Sequence, residues 1–361
     1  MTPLLFQPFT LRGVTLRNRI GISPMCMYSA TDGVANDWHL AHLGARAAGG
    51  AGLVIVEATG VEARGRITPH CLGLWSDAQI EPLARVAAFI SAQGAVPGIQ
   101  IAHAGRKASC YWSWAGKAGE VPADDGGWQT VAPSVIRFRD DYPLPHELTT
   151  TEIHDVQAAF VAAARRALAA GFRWLELHAA HGYLMHSFYS PHSNHRDDAY
   201  GVSFDNRVRF LLETAQQVRA VWPDDLPLTV RISATDWLGE DGWQVGDSVE
   251  LARRLKALGV DLIDCSSGGI STQARVPAAP GYQVPLSEAV RHEADIPTAT
   301  VGLITEAAQA EAILQAGQAD LILIGKESLR NPHWPIDAAR ALGETPSTLW
   351  PKQYAWAVGK E

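Results

Sequence analysis

The chain has 361 residues, of which 47% are hydrophobic and 19% charged, and its formal net charge at neutral pH is -8. That length and apolar content suit one large core, so a single domain over residues 1–361 is the expectation. The acidic balance and the lack of a Lys/Arg run argue against nucleic acid or an anionic membrane surface as partner, and leave a small molecule.

Met1 to Ile20 carries Arg12, Arg17 and Arg19 without a long apolar core, so it reads as neither signal peptide nor anchor. No stretch reaches the roughly 18 uninterrupted apolar residues of a membrane span. Cys26, Cys71, Cys110 and Cys265 lie far apart with no Cys-x-x-Cys spacing, which fits a reducing compartment. A cytoplasmic protein is expected.

Ile20 to Met25 reads as a strand closed by Pro24, and Cys26, Met27 and Tyr28 follow at its end. Gly52 to Thr59 is almost wholly apolar, as in strands buried on both faces of a parallel sheet. Trp38 to Ala48 between them suits a helix ending at Gly49-Gly50. Asp77 is the expected cap of a helix with Ile80, Leu83, Val86 and Ile90 on one face and Gly94 past its end. The third strand, Val96 to Ala102, delivers Gln100 and His103. Residues 105–145 hold Gly, Pro and Trp without a sustained period, which predicts a long excursion over the barrel top.

Thr149-x-x-Glu152 is a capping box, and Ile153, Val156, Phe160, Ala163 and Ala167 then repeat at helical spacing until Gly171. The fourth strand follows in Trp174, Leu175 and Leu177, and its end delivers His178, His181 and Tyr183 to one loop. A helix from Asn206 to Trp222 and a strand from Pro227 to Ser233, carrying Arg231, come next. Asp247 is read as the cap of a helix running to Gly259, before a strand from Val260 to Cys265. Pro285 to Ala294 is a helix and Ile296 to Val301 a strand. Thr305 is read as the cap of a helix running to Gly317, and Asp320 to Ile324 is the last strand. Eight strands alternating with helices argue an α/β fold, a (β/α)8 barrel of the TIM type.

In such a barrel the carboxyl ends of the strands carry the site, so the His178, His181 and Tyr183 loop is the candidate for the chemistry. Two other readings stand beside it. The His178/His181 pair, with His186, His192 and His195 near, could ligate a metal, or these could be loop histidines satisfied by their neighbours. The last three strand ends share Gly268-Gly269, Gly302, and Gly325 with Lys326. Backbone N–H groups approach a ligand closely where glycine sits, so this set predicts a phosphate-bearing ligand.

Ser23-Pro24-Met25-Cys26, Gln100-x-x-His103-Ala104-Gly105-Arg106-Lys107, His178-Ala179-Ala180-His181-Gly182-Tyr183 and Ser203-x-x-Asn206-Arg207 together resemble the old yellow enzyme family of flavin-dependent ene-reductases. Cys26, Tyr28 and the late Gly281-Tyr282-Gln283 resemble its bacterial branch that includes xenobiotic reductases. The resemblance implies FMN across the barrel top and NADPH or NADH as reductant. The substrate would be an α,β-unsaturated carbonyl or nitro compound, reduced at the β-carbon by hydride from the flavin.

Carried onto this chain, the resemblance puts Ser23, Pro24, Met25 and Cys26 along one side of the flavin, Ala58 and Gln100 at its edge, and Arg231 by N1 and O2. His178 would border both cofactor and substrate. Gly268, Gly269, Val301, Gly302, Gly325 and Lys326 fall at cofactor positions, the glycines and Lys326 toward the phosphate. His178 and His181 would donate hydrogen bonds to the substrate oxygen, and Tyr183 would protonate the α-carbon. Cys26 and Tyr28 would tune flavin and substrate, and no metal is expected. The sequence departs from the family at Lys326, where Arg is usual, and at Val202, where Gly is frequent. The C-terminal tail, residues 345–361, implies a homodimer or larger assembly. The alternatives are a dienoyl-CoA-reductase-like FMN barrel and a metal-dependent barrel hydrolase using His178 and His181.

Overall fold

The computed structural model describes residues 2–358. Eight parallel strands close into a barrel in chain order: Ile20–Ile22, Leu53–Gly60, Val96–Ala102, Trp174–Ala179, Leu228–Ser233, Leu262–Ser266, Thr298–Thr300 and Leu321–Ile324. Closure comes from the last strand pairing with the first, Ile322 opposite Ile20. The continuous apolar runs have the cause inferred from sequence, since every residue of the second and fourth strands is buried.

Helices cover the outside: Asp37–Ala48, Ile80–Ala92, Thr150–Ala169, Phe204–Arg219, Val245–Ala257, Val284–Ala294, Ala307–Gln315 and Trp334–Ala341. The stripe of Ile153, Val156, Phe160, Ala163 and Ala167 is fully buried against the sheet, and the Thr149/Glu152 capping box forms as expected. Three other caps differ. Ser76, not Asp77, caps the short turn Asp77–Gln79 that leads into the second helix, and pairs reciprocally with Gln79. Asp247 lies in the first turn and accepts from the backbone N of Gln244, the capping residue. Glu306 rather than Thr305 precedes the seventh helix. In each case several polar residues precede the apolar stripe, and the packed face of the helix decides which one is first.

An antiparallel hairpin, Phe9–Leu11 with Val14–Leu16, precedes the barrel. It lies under the strand starts, where Gly13 N donates to Asp225 O and Arg12 pairs with Asp261. Residues 105–145 cross the opposite face. There Trp128 Nε1 donates to Arg64 O (2.8 Å) and Arg106 Nη2 donates to Ile270 O (2.7 Å), which ties together the loops after the second, third and sixth strands. In the tail, Trp350 packs beside His333 and under Arg340, while Trp356 is 87% exposed. Among the described residues no helix is long and apolar enough to cross a membrane.

One irregularity shapes the barrel top. The second strand bulges between Val56 and Thr59, which re-aims its end. Ala58 then borders the cavity described next, and Glu57 turns outward to within 3.6 Å of His39 on the first helix.

Candidate active site

A cavity of about 660 Å³ opens at the carboxyl ends of the strands. Its wall gathers residues from all along the sequence. Ser23, Pro24, Met25, Cys26 and Tyr28 follow the first strand, Ala58 and Gln100 end the second and third, and His178, His181 and Tyr183 leave the fourth. Arg231 comes from the fifth, Val301 and Gly302 from the seventh, and Gly325 and Lys326 from the eighth.

Gly268 and Gly269 are not in this wall. Gly268 packs beside Trp237, and a Cβ on Gly269 would lie 2.6 Å from His181 Cα, so this glycine admits the neighbouring loop rather than a phosphate. Both belong to the support of the site. Ser266, Tyr282, Gln283, Thr305 and Arg330 also border the cavity. Arg330 lies one helical turn beyond Lys326, a spacing that could have flagged it. Gln283 sat in the Gly-Tyr-Gln run already noted, and it donates to Val301 O (2.6 Å) while accepting from Ser267 Oγ (2.6 Å).

At the fourth strand end, His178, His181 and Tyr183 form a cluster of mutually edge-on rings. Centroids are 5.2 Å apart for the two histidines and 5.0 Å for His178 and Tyr183. His178 Nδ1 accepts from Ala180 N, so its proton sits on Nε2. His181 Nε2 pairs with Ser266 Oγ at 2.7 Å, and its backbone N donates to Ser233 Oγ at 2.9 Å. Burial, reinforced by the Arg231 charge, pushes both imidazoles well below the usual histidine range, so both are neutral at pH 7. Burial also keeps the Tyr183 phenol and the Cys26 thiol protonated, each pushed well above its ordinary value.

Across the cavity, Arg231 Nη1 donates to Ser23 Oγ (3.0 Å), and Nε lies 3.2 Å from Asp264 Oδ2. Beneath it Glu176 accepts from Gln100 Nε2 (2.8 Å). Burial and the nearby Asp264 push Glu176 up, and burial raises Asp264 against the pull of Arg231. The barrel-interior ion pair and the cavity-lining role of Arg231 thus coexist.

These residues fit a flat, electron-rich ring carrying a phosphate tail. Pro24, Met25, Ala58 and Val301 give apolar surface, and Arg231 offers positive charge at one edge. A Cβ at Gly325 would project into open space, with Met25 Sδ its nearest neighbour at 4.0 Å, and Lys326 and Arg330 stand beside that opening. Among the described residues no group of three or more His, Cys, Asp or Glu is placed to hold a metal. His186, weighed as a ligand, instead bonds Asp236 at 2.7 Å and accepts from Gly182 N at 2.8 Å.

A closed parallel barrel with a cavity at the carboxyl ends of its strands defines the (β/α)8 class, in which that face carries the site. The model of the NADH:flavin oxidoreductase / NADH oxidase family matches residues 4–344. The chain is 50% identical over 345 residues to an NADPH dehydrogenase of Geobacillus thermodenitrificans, covering 95% of this chain and 96% of that one. It superposes on the old yellow enzyme homologue of Zymomonas mobilis with a TM-score of 0.80 at 28% identity, over 97% of each chain. On 2-naphthoyl-CoA reductase in complex with 2-naphthoyl-CoA the TM-score is 0.84 at 25% identity, over 96% of this chain. The chain spans about half the length of that protein, 53% of it. This chain therefore belongs to the NADH:flavin oxidoreductase family, the old yellow enzymes, and is an FMN-dependent NAD(P)H oxidoreductase. With that membership the metal-hydrolase reading falls.

Proposed function

We propose that the enzyme reduces alkenes conjugated to a carbonyl or nitro group. The observation that carries this reading is the edge-on cluster of His178, His181 and Tyr183 on one wall of the cavity, where burial disfavours the charged form of each. Bound FMN would supply the hydride, taken from NAD(P)H. Pro24, Met25, Ala58, Gln100, Ser23 and Arg231 would hold its ring system, and Gly302, Gly325, Lys326 and Arg330 its phosphate.

His178 presents its Nε2 proton, and His181 would exchange Ser266 for the substrate oxygen. As that oxygen gains charge, donors fixed in advance bind it more strongly than in the ground state, which lowers the barrier. Neutral donors suit the task because they bind the oxygen without surrendering a proton to it. Tyr183 OH then transfers its proton to the α-carbon, and the resulting phenolate regains a proton from solvent. Cys26 remains a thiol, which fits substrate contact and not attack.

We further infer one domain with residues 105–145 folded over its face, and a cytoplasmic location. A homodimer joined through the tail is supported by the exposure of Trp356.

The test combines purified protein, FMN, NADPH and cyclohexenone under anaerobic conditions. FMN should bind, NADPH should bleach it, and cyclohexenone should restore its colour. His178→Ala should slow the last step by roughly one to three orders of magnitude, the range for loss of an oxyanion donor. A parent enzyme that NADPH bleaches but no enone or nitroalkene reoxidises would refute the substrate class.

A further inference from the structure

Lys107 lies in the short turn Gly105–Lys107 after the third strand, outside every role assigned above. Its Nζ donates to His181 O at 2.7 Å and to Gly269 O at 3.0 Å. The same nitrogen lies 5.2 Å from the Tyr183 ring centroid and 4.3 Å from that of Phe138. One ammonium group thus joins the loops after the third, fourth and sixth strands with the excursion above them.

The clamp acts where the backbone is least comfortable. His181 has φ +61°, a left-handed conformation disfavoured for a residue with a Cβ, and Gly269 opposite it has φ +87°. With its N bonded to Ser233 Oγ and its O bonded to Lys107, the His181 peptide is tied on both sides, which fixes the ring direction. Tyr183 sits two residues on, buried among Cys26, Tyr28 and Cys110, groups that all oppose a phenolate. Lys107 is the cation over its ring.

We propose that Lys107 is a positioning residue of this site: it holds His181 in its left-handed turn, and its charge over the Tyr183 ring eases proton transfer from the phenol to substrate. The proposal rests on the reading of Tyr183 as proton donor. In the step concerned, the Tyr183 O–H bond breaks, the α-carbon of the reduced substrate takes the proton, and the charge left on the phenolate lies near the ammonium until solvent returns a proton. A cation over the ring face favours the anionic ring over the neutral one in a water-poor site.

The charge on Lys107 is itself sensitive to pH. Burial, aided by Arg106 and Arg139 and opposed by Cys110, brings this ammonium down to about 7. The groups facing it are Arg106 and Cys110 on its own segment, Arg139 in the excursion, and His178, His181 and Tyr183 at the fourth strand end. Gly269 presents only a carbonyl. The histidines are neutral across this range, and Glu57 behind Tyr28 is the other group brought near neutrality, so the comparison with Lys107→Gln, which leaves Glu57 in place, isolates the lysine charge.

Three proteins test this: the parent, Lys107→Gln, which keeps a donor without the charge, and Lys107→Arg, which keeps the charge. In the parent, reoxidation by cyclohexenone should slow as pH rises through about 7, while reduction by NADPH changes little. Lys107→Gln should reoxidise roughly tenfold more slowly at low pH and lose that pH limb, and Lys107→Arg should recover most of the rate without the limb. In flavin-free protein, labelled carbonyl carbons of His181 and Gly269 should titrate together in the parent and stay flat in Lys107→Gln. Parental rate and pH profile in Lys107→Gln, or carbonyls that do not titrate in the parent, would overturn the proposal. A parent that reduces no activated alkene at all, yet shows the carbonyl titration, would instead refute the assigned reaction and leave the clamp standing.

Discussion

Glu57 offers a sharp test of how the site is held, because it is a carboxyl only 3% exposed at the bulge beside the cavity. Its Oε2 accepts from Met27 N at 3.0 Å, which steadies the turn presenting Cys26 and Tyr28. Burial pushes its carboxyl up to about 8, against the partial pull of the Met27 and Tyr28 backbone N–H groups. The unfolded chain would titrate it near 4.3. Since the folded value is raised, its contribution to stability is fully present below about pH 4 and is lost as pH rises through about 8.

Each tenfold change in proton affinity is about 1.4 kcal/mol, so forcing this carboxylate to ionise in place costs up to roughly 5 kcal/mol, and about 2 to 3 kcal/mol once the surroundings relax. Glu57→Gln mimics the protonated form: its carbonyl keeps accepting from Met27 N, and it carries no charge. For a chain this long, about 2.1 cal/mol/K of unfolding entropy per residue gives roughly 1.3 °C per kcal/mol. The variant should therefore gain about 3 to 4 °C on the parent between roughly pH 5 and pH 9. Glu176 and Asp264 are also raised but are common to both proteins, so they cancel in the difference. Thermal melts of both proteins in matched buffers measure it. If the two Tm curves run parallel across that range, Glu57 is already ionised at neutral pH and the argument fails.

Val202 has φ +66° with its side chain 70% exposed, so Val202→Gly removes a left-handed penalty of about 1 to 2 kcal/mol, less the chain entropy glycine adds. A net gain of about 0.5 to 1 kcal/mol in urea unfolding is expected, and a lower midpoint would contradict it. Ser266→Ala frees His181 Nε2 from its 2.7 Å partner, so phenolic and enone ligands should bind severalfold more tightly, and an unchanged Kd would show that Ser266 does not compete. Lys326→Ala and Arg330→Ala should each weaken FMN binding by about tenfold in equilibrium titrations, whereas retention of parental affinity would direct that side chain away from the phosphate.

The barrel was legible because its strands are buried on both faces and read as continuous apolar runs, and because the helix carrying Phe160 shows its buried stripe at regular spacing. The cavity wall was legible for a related reason, since residues that follow a strand directly must emerge at its carboxyl end. What lay farther from a strand end was not. Gly269 and Gly302 look alike in sequence and both adopt positive φ, yet a Cβ on the first would meet His181 while the second borders the cavity. The demand for glycine is local, but what approaches its Cα is set by a loop nearly ninety residues away. Lys107 was opaque for the same reason: its partners, His181 and Gly269, are carbonyls, and any residue type supplies one.

Strain carries this point further. Nine non-glycine residues among those described have positive φ, and three of them, Tyr28, His181 and Leu303, border the cavity. Glycine would have announced such turns, as it does at Gly302, but at these three positions a side chain is kept at a cost of order 1 kcal/mol each. The left-handed turn at His181 sends the chain on so that its ring and that of Tyr183 both meet His178 edge-on. At Tyr28 the corresponding turn is held by the buried Glu57, and at His181 by Lys107. Both supports are titratable groups shifted by burial toward neutral pH, Glu57 up and Lys107 down. Raising the pH should therefore charge the support of one turn and discharge that of the other, so the geometry of this wall is coupled to proton activity through the residues behind it.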